Sequence, residues 1–238
     1  FNHVMLKMTM NENEVKTLFE NENWLIVDKP AGWLTVPGRN AEETPVLGHV
    51  LEKTKGMVLW PCHRLDREVS GLVLFAKKPE AHRLANGWFE NHKIQKIYEA
   101  WTRYSSEKSI ELDKKQIWKL KLVRGKKRSF EADHGLEAIT HAEAKEITSL
   151  KNLKILRWIL EPKTGRSHQL RVSLMKNYAP ILGDVLYGDS LQGIEKSFPE
   201  NAIALRAIQL NLSLIQENDR MGLPENIKGK EILEWIKS

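Results

Sequence analysis

Between Lys96 and Glu161 the chain carries four strand-like segments in succession: Ile97 to Trp101, Ile110 to Trp118, Leu136 to Ile147 and Leu153 to Leu160. In the third, Ala138, Thr140, Ala142 and Ala144 alternate with bulkier or charged residues, the period of two that marks a half-buried strand. A doubly wound parallel sheet needs regular alternation of strands with helices, and this chain lacks it. Further strands are read at Trp24 to Val27, closed by Asp28-Lys-Pro30, at Gly71 to Ala76, and at Ile203 to Leu210. Helical spacing is read at Thr44 to Lys53, with Val46, Leu47, Val50 and Leu51 apolar and Thr44 as the cap. It recurs at Pro79 to Asn91, with Ala81, Leu84, Trp88 and Phe89 inward, at Gly165 to Lys176, and at Ile227 to Ser238. Lys29 to Gly38 holds two prolines and two glycines and is expected to be irregular. The fold class expected is α+β, with a mixed, largely antiparallel central sheet and flanking helices and loops.

A chain of 238 residues makes one large domain or two small ones. No linker or composition break divides it, so residues 12–238 are expected to be a single domain. Residues 1–11 are then an N-terminal extension, appended or processed, with Met5, Met8 or Met10 as the natural start. The one cysteine, Cys62, excludes an internal disulfide and a thiolate zinc site and fits a reducing cytosol. No run approaches the roughly 18 apolar residues of a membrane helix. The formal net charge of +6 suits a nucleic-acid partner, as it suits many other basic soluble enzymes.

Three segments concentrate chemistry. In Cys62-His-Arg-Leu-Asp-Arg-Glu-Val-Ser-Gly71, the side chains of His63, Arg64, Asp66 and Arg67 crowd directly before a strand. A carboxylate among arginines is held ionised and can act as a nucleophile or stabilise positive charge, although a structural ion-pair cluster would read the same way. In Glu161-Pro-Lys-Thr-Gly-Arg-Ser-His-Gln-Leu-Arg171, a helix start with Lys163, Arg166, His168, Gln169 and Arg171 offers amides and cations to an anion. That guest is either a phosphate or the carboxylate of Asp66, and a capped surface helix is the plainer alternative. Lys114 to Arg128 holds eight basic residues and no acidic one, with Trp118 and Phe130 in and beside it. Such a run suits RNA phosphates and unstacked bases, or is a solvated strand-loop-strand. His134 and His141 lie seven apart on a strand-like stretch, so no metal site is expected of them. There is no dinucleotide glycine motif and no Walker loop.

In this order, these segments resemble the RluA-type family of RNA pseudouridine synthases. His63-Arg-Leu-Asp66 with Ser70-Gly71 resembles the catalytic motif, Asp28-Lys-Pro-Ala-Gly32 with Val36-Pro-Gly38 the N-terminal signature, and Lys96-Ile-Tyr98-Glu-Ala100 the tyrosine segment. Gly165-Arg-Ser-His-Gln-Leu-Arg171 and Pro180-Ile-Leu-Gly-Asp184 with Tyr187-Gly188 complete the set, which spans Trp24 to Leu212. Two departures stand out: Val69 where the family usually has threonine, and Arg206 in place of a common histidine.

The resemblance implies a pseudouridine synthase-like catalytic domain with no separate N-terminal RNA-binding domain, working as a monomer in the cytoplasm. It implies that a uridine of ribosomal or transfer RNA is extruded from its stack and isomerised without metal or nucleotide cofactor. Asp66, Tyr98 and Arg166 are the catalytic residues it implies, with Arg166 pairing to Asp66. His63, Arg64, Arg67, Lys163, His168, Gln169 and Arg171 are expected to bind substrate. Whether Asp66 attacks the ribose or removes a ribose proton stays open. Two other classes remain: a non-catalytic RNA-binding module, and a hydrolase pairing Asp66 and His63 with Glu68 as second carboxylate.

Overall fold

A computed structural model describes residues 15–38 and 44–237. Residues 1–11 and their three candidate start methionines lie outside the described part. In chain order the elements are β1 (Lys16–Glu20), β2 (Trp24–Lys29), α1 (Leu47–Lys55), β3 (Trp60–Pro61), β4 (Ser70–Ala76) and α2 (Pro79–Glu90). There follow β5 (Gln95–Arg103), β6 (Lys115–Arg124), β7 (Ser129–Glu131), β8 (Leu136–Leu150), β9 (Leu153–Pro162), α3 (Gln169–Asn177), β10 (Leu205–Asn211), β11 (Asn226–Lys228) and α4 (Ile232–Trp235).

One sheet runs in the order β1-β2-β4-β10-β5-β9-β8-β6-β7, with β3 added to β4 and β11 to β10. Among the described strands only β4 and β10 pair parallel, so the α+β, largely antiparallel expectation holds. Every residue of β4 is buried, which explains its unbroken apolar run. β8 alternates as read, with Ala138, Thr140, Ala142 and Ala144 buried. Small side chains there let α3 lie close: Val172 packs against Ala138, and the Ser173 hydroxyl lies 3.4 Å from that of Thr140. That close seating brings the start of α3 to the ends of β8 and β9.

Several element readings are corrected. The helix expected from Thr44 begins at Leu47, because its first amides are met by backbone rather than by a threonine cap: Leu47 N donates to the Leu34 carbonyl at 2.8 Å. In α2 the inward residues are Ala81, Ala85 and Trp88, while Leu84 is exposed. The strand read from Ile110 starts at Lys115 and runs on to Arg124. The expected C-terminal helix is mostly something else: Ile227 sits in β11, paired with Leu210, and only Ile232–Trp235 is helical. Glu231 and Glu234 form its capping box, and Ile232 N donates to Glu99 Oε2 at 2.7 Å. β1 had no strand pattern to read, since it is an edge strand without a fully buried residue. Among the described residues no helix is long and apolar enough to cross a membrane.

The parallel join of β4 to β10 depends on Gly71. Its φ is +111°, and a Cβ there would stand 2.2 Å from the Ala207 carbonyl oxygen. Gly71→Ala is therefore expected to lower the unfolding free energy by more than the ~1–3 kcal/mol that backbone strain alone costs. Urea denaturation measures it; a change within about 0.5 kcal/mol, as for an ordinary surface substitution, would contradict this account of the join.

Candidate active site

Asp66 stands on the loop between β3 and β4, and that loop is held from behind on both sides of it. The Thr35 hydroxyl accepts from Leu65 N at 3.1 Å and donates to the Leu65 carbonyl at 3.3 Å. The Lys29 ammonium donates to the carbonyls of Pro30, Trp33 and Arg67, and Gly32 N donates to the same Arg67 carbonyl at 2.8 Å. Lys29 is fully buried, and burial lowers its pKa to about 7 against the pull of Asp66, Glu68 and Asp28. The irregular stretch after β2 is thus a clamp on the Asp66 loop, which gives Asp28-Lys-Pro-Ala-Gly32 a physical task.

Asp66 faces a cleft of about 970 Å3 whose walls include Tyr98 of β5 and the segment 161–171. Tyr98 is buried, and burial first, then the charge of Asp66, raises its pKa and keeps the phenol protonated. The cation beside Asp66 is Arg171. Its Nη1 lies 3.7 Å from Asp66 Oδ2 and 3.2 Å from Glu68 Oε2. Its Nε and Nη2 both donate at 2.7 Å to the carboxylate of Asp184, which is itself fully buried. This two-pronged bond fixes the guanidinium plane, so the remaining nitrogen is aimed at the Asp66 loop. The Tyr187 ring lies against the same guanidinium at 5.3 Å.

The expected ion pair of Arg166 with Asp66 is corrected. Arg166 Nε donates to the Glu137 carbonyl at 2.9 Å, and the residue sits exposed on the cleft wall. The reason is where α3 begins: not at Gly165 but at Gln169, after His168 in the left-handed region at φ 54°. Residues 165–168 form a turn that points Arg166 outward, and the first helical turn presents Arg171 inward. Gln169 is not free for substrate either. Its Oε1 accepts from the Thr164 hydroxyl and Arg166 N, and its Nε2 donates to the Ile139 carbonyl and the Thr140 hydroxyl, so it braces the turn.

The other expected substrate residues divide. Arg64 is exposed and lines the cleft, whereas Arg67 is exposed and does not. Lys163 lines it and is paired with Glu161. His168 lines it with Nε2 4.0 Å from Asp66 Oδ2 and Nδ1 2.9 Å from the Tyr187 hydroxyl. Burial lowers the pKa of His168 although Asp66 pulls it up. His63 lines the cleft but is anchored in the fold, its Nε2 accepting from Leu74 N at 3.1 Å. Glu68, the second carboxylate of a hydrolase, is engaged by Arg171. His141 lies 3.9 Å from Glu161, and no cluster of three metal-ligating side chains occurs among the described residues.

Of the two departures from the family pattern, Val69 is a buried core residue, and Arg206 pairs with Asp28 beneath the Trp235 ring. Arg206 lies in the scaffold and does not line the cleft, whereas Val69 is packed in the core and also lines the cleft beside Asp66.

Residues 23–176, well over half of the chain, match the family described as RNA pseudouridylate synthase. The chain belongs to that family. Among its relatives, the tRNA pseudouridine synthase C of Haemophilus ducreyi is 33% identical over 74% of this chain and 75% of its own length. The ribosomal large subunit pseudouridine synthase D of Zymomonas mobilis is 33% identical over 74% of this chain, which spans 56% of that protein. The chain likewise spans 55% of the tRNA pseudouridine synthase C of Pectobacterium carotovorum, at 29% identity over 84% of this chain. The fold is shared with human RNA pseudouridylate synthase domain containing 1, with a TM-score of 0.71 at 19% identity over 92% of this chain and 84% of that one. Human RNA pseudouridylate synthase domain containing 4 gives 0.65 at 21% identity, covering 93% and 92%. The family is the one the five sequence motifs pointed to, and it is a family of isomerases.

The two arginines of the synthase segment 165–171 should separate cleanly by stability. Arg171→Ala leaves the buried Asp184 carboxylate without its cation and is expected to cost about 3–5 kcal/mol. Arg166→Ala, at an exposed position, should stay within about 0.5 kcal/mol. Denaturant unfolding of both variants checks this; equal costs would remove Arg171 from its central place.

Proposed function

We propose that the protein isomerises uridine to pseudouridine in a structured RNA, with Asp66 acting on the ribose, Arg171 orienting that carboxylate and Tyr98 lying against the base. The observation that carries the reading is one cleft in which a half-exposed carboxylate, a buried phenol and a clamped guanidinium converge. The relatives are named for transfer RNA and for large-subunit ribosomal RNA, and a substrate of one of those two classes is the corresponding proposal here.

The reaction rearranges one nucleotide. The N1–C1′ bond breaks, C5 bonds to C1′, the C5 proton leaves and N1 gains a proton, so no oxidant or co-reactant enters the balance. Asp66 serves as nucleophile toward the ribose or as base for a ribose proton. Tyr98 starts as a protonated phenol, so it can take the C5 proton only by passing its own on. The reading takes the enzyme as a monomer in the cytoplasm, a single catalytic domain without a nucleotide cofactor. Exposed Arg124, Lys126, Lys127 and Arg128 surround the turn joining β6 to β7, and Arg124 reaches the cleft wall, so that hairpin is suited to track RNA phosphates toward the site.

Incubating the protein with RNA transcripts tritiated at uracil C5 tests the reading: tritium release with formation of pseudouridine is expected, and none from any tRNA or rRNA transcript would overturn it. In the same assay Tyr98→Phe, which keeps the ring and removes the hydroxyl, should slow release strongly; unchanged release would limit Tyr98 to packing.

The hairpin is tested by binding. Replacing Lys126, Lys127 and Arg128 by alanine should weaken RNA binding at low salt. It should also make the slope of log affinity against log salt shallower by roughly 0.7–0.9 for each phosphate that is no longer neutralised. An unchanged slope would exclude the hairpin from the RNA path.

A further inference from the structure

Three cations of the cleft are answered within the protein. Arg171 meets Asp184, Glu68 and Asp66, Lys163 meets Glu161, and Arg166 meets a backbone carbonyl. Arg64 and Arg124 also line the cleft but stand exposed to water, so among the described residues Lys96 is the part-buried cation left without an answer. It precedes Tyr98 by two residues on β5, so both side chains leave the same face of the strand, and both line the cleft. Among the described residues its ammonium makes no hydrogen bond and no ion pair. It rests on the Phe89 ring, Nζ 5.8 Å from the centroid, although the side chain is part-buried and burial lowers its pKa.

The neighbouring ring adds a donor. The His63 ring packs on the same Phe89, with centroids 5.1 Å apart. Burial, then the nearby Lys96 charge, lowers the His63 pKa to about 3, so the imidazole is neutral. Its Nε2 accepts from Leu74 N, which leaves the ring proton on Nδ1, a buried atom without a partner. Withdrawing an ammonium from water without a counter-charge is costly, and the corner holding Lys96, Phe89 and His63 supplies none. The missing anion is one that arrives with the ligand. RNA brings one at every nucleotide, the phosphodiester; a uracil carbonyl is neutral and would need only an ordinary N–H donor.

We propose that Lys96 is a phosphate subsite of the cleft, binding the phosphodiester next to the uridine that Asp66 and Tyr98 address. The inference rests on RNA as the occupant of the cleft. It makes Lys96 a substrate-binding residue that sets how deeply the nucleotide enters, since the ammonium lies on the same strand face as Tyr98.

Titration of the full chain with uridine, 5′-UMP and 3′-UMP, followed by NMR, tests the subsite without requiring turnover. The wild type should bind one of the two monophosphates about tenfold more tightly than uridine, as one charge-assisted hydrogen bond allows. The preferred isomer tells which side of the uridine the phosphate lies on. That preference should fade with added salt, vanish in Lys96→Met, whose unbranched side chain preserves the packing on Phe89, and persist in Lys96→Arg. A wild type that binds all three probes alike, or a Lys96→Met variant that keeps the preference, would overturn the proposal. The two readings fail separately. Tritium release without a Lys96-dependent preference removes the subsite, whereas a Lys96-dependent preference without tritium release removes the synthase reading and leaves a uridylate-binding corner.

Discussion

The guanidinium of Arg171 is the point on which the site turns. A buried carboxylate, Asp184, grips two of its nitrogens, and the third is left to face Asp66 and Glu68. Neither buried charge is stable without the other, so the pair ties the start of α3 to the turn at 181–189 and leaves little freedom in where positive charge stands in the cleft. Tyr187 extends the same assembly. Its ring lies on Arg171, and its hydroxyl exchanges hydrogen bonds with Ser129 N and the Ser129 carbonyl at 2.9 and 3.0 Å. The turn end of the basic hairpin is thereby fastened to the residues that surround Asp66.

Asp66 itself is held by backbone. Lys29, Gly32 and Thr35 take hold of Leu65 and Arg67, its two chain neighbours, and leave the aspartate side chain facing the cleft. The all-buried β4 begins four residues after Asp66, and Gly71 allows β4 to meet β10 in the sheet's parallel join. A rigid strand on one side and a stapled loop on the other confine the carboxylate to a narrow region opposite Tyr98. That is the preorganisation a reaction at a single nucleotide needs, because the cleft meets the ribose with its charges already in place.

The sheet and the site were legible to different depths. Strands with a buried face, such as β8, announced themselves through alternation, and β4 through its unbroken apolar run. β1 did not, because an edge strand with no fully buried residue carries no such pattern. Helix ends depart from the sequence pattern wherever tertiary contacts replace the usual caps: at the start of α1 Leu47 N donates to the Leu34 carbonyl with no cap from Thr44, and α4 is short because Ile227 pairs with β10. Asp66 and Tyr98 were readable from their motifs. The resemblance assigns the pairing with Asp66 to Arg166, and only the left-handed turn at His168, a tertiary feature, turns Arg171 rather than Arg166 inward. Asp184 and Lys29 lay within recognised motifs, but their tasks are long-range contacts that no spacing rule reports. Lys96 carries its signal in what it lacks, a counter-charge, which only a folded chain displays.

The central claim is that Asp66 does chemistry on uridine in cellular RNA, and the direct measurement is nucleotide-resolution mapping of pseudouridine in cells lacking the gene. Complementation with the wild type and with Asp66→Asn, at matched protein levels, supplies the comparison. Asparagine keeps the shape of the side chain and removes its anion, so the account predicts that one or more uridines become pseudouridine with the wild type and remain uridine with Asp66→Asn. Restoration of the same pseudouridines by Asp66→Asn, or a map that is identical with and without the wild-type gene, would contradict it.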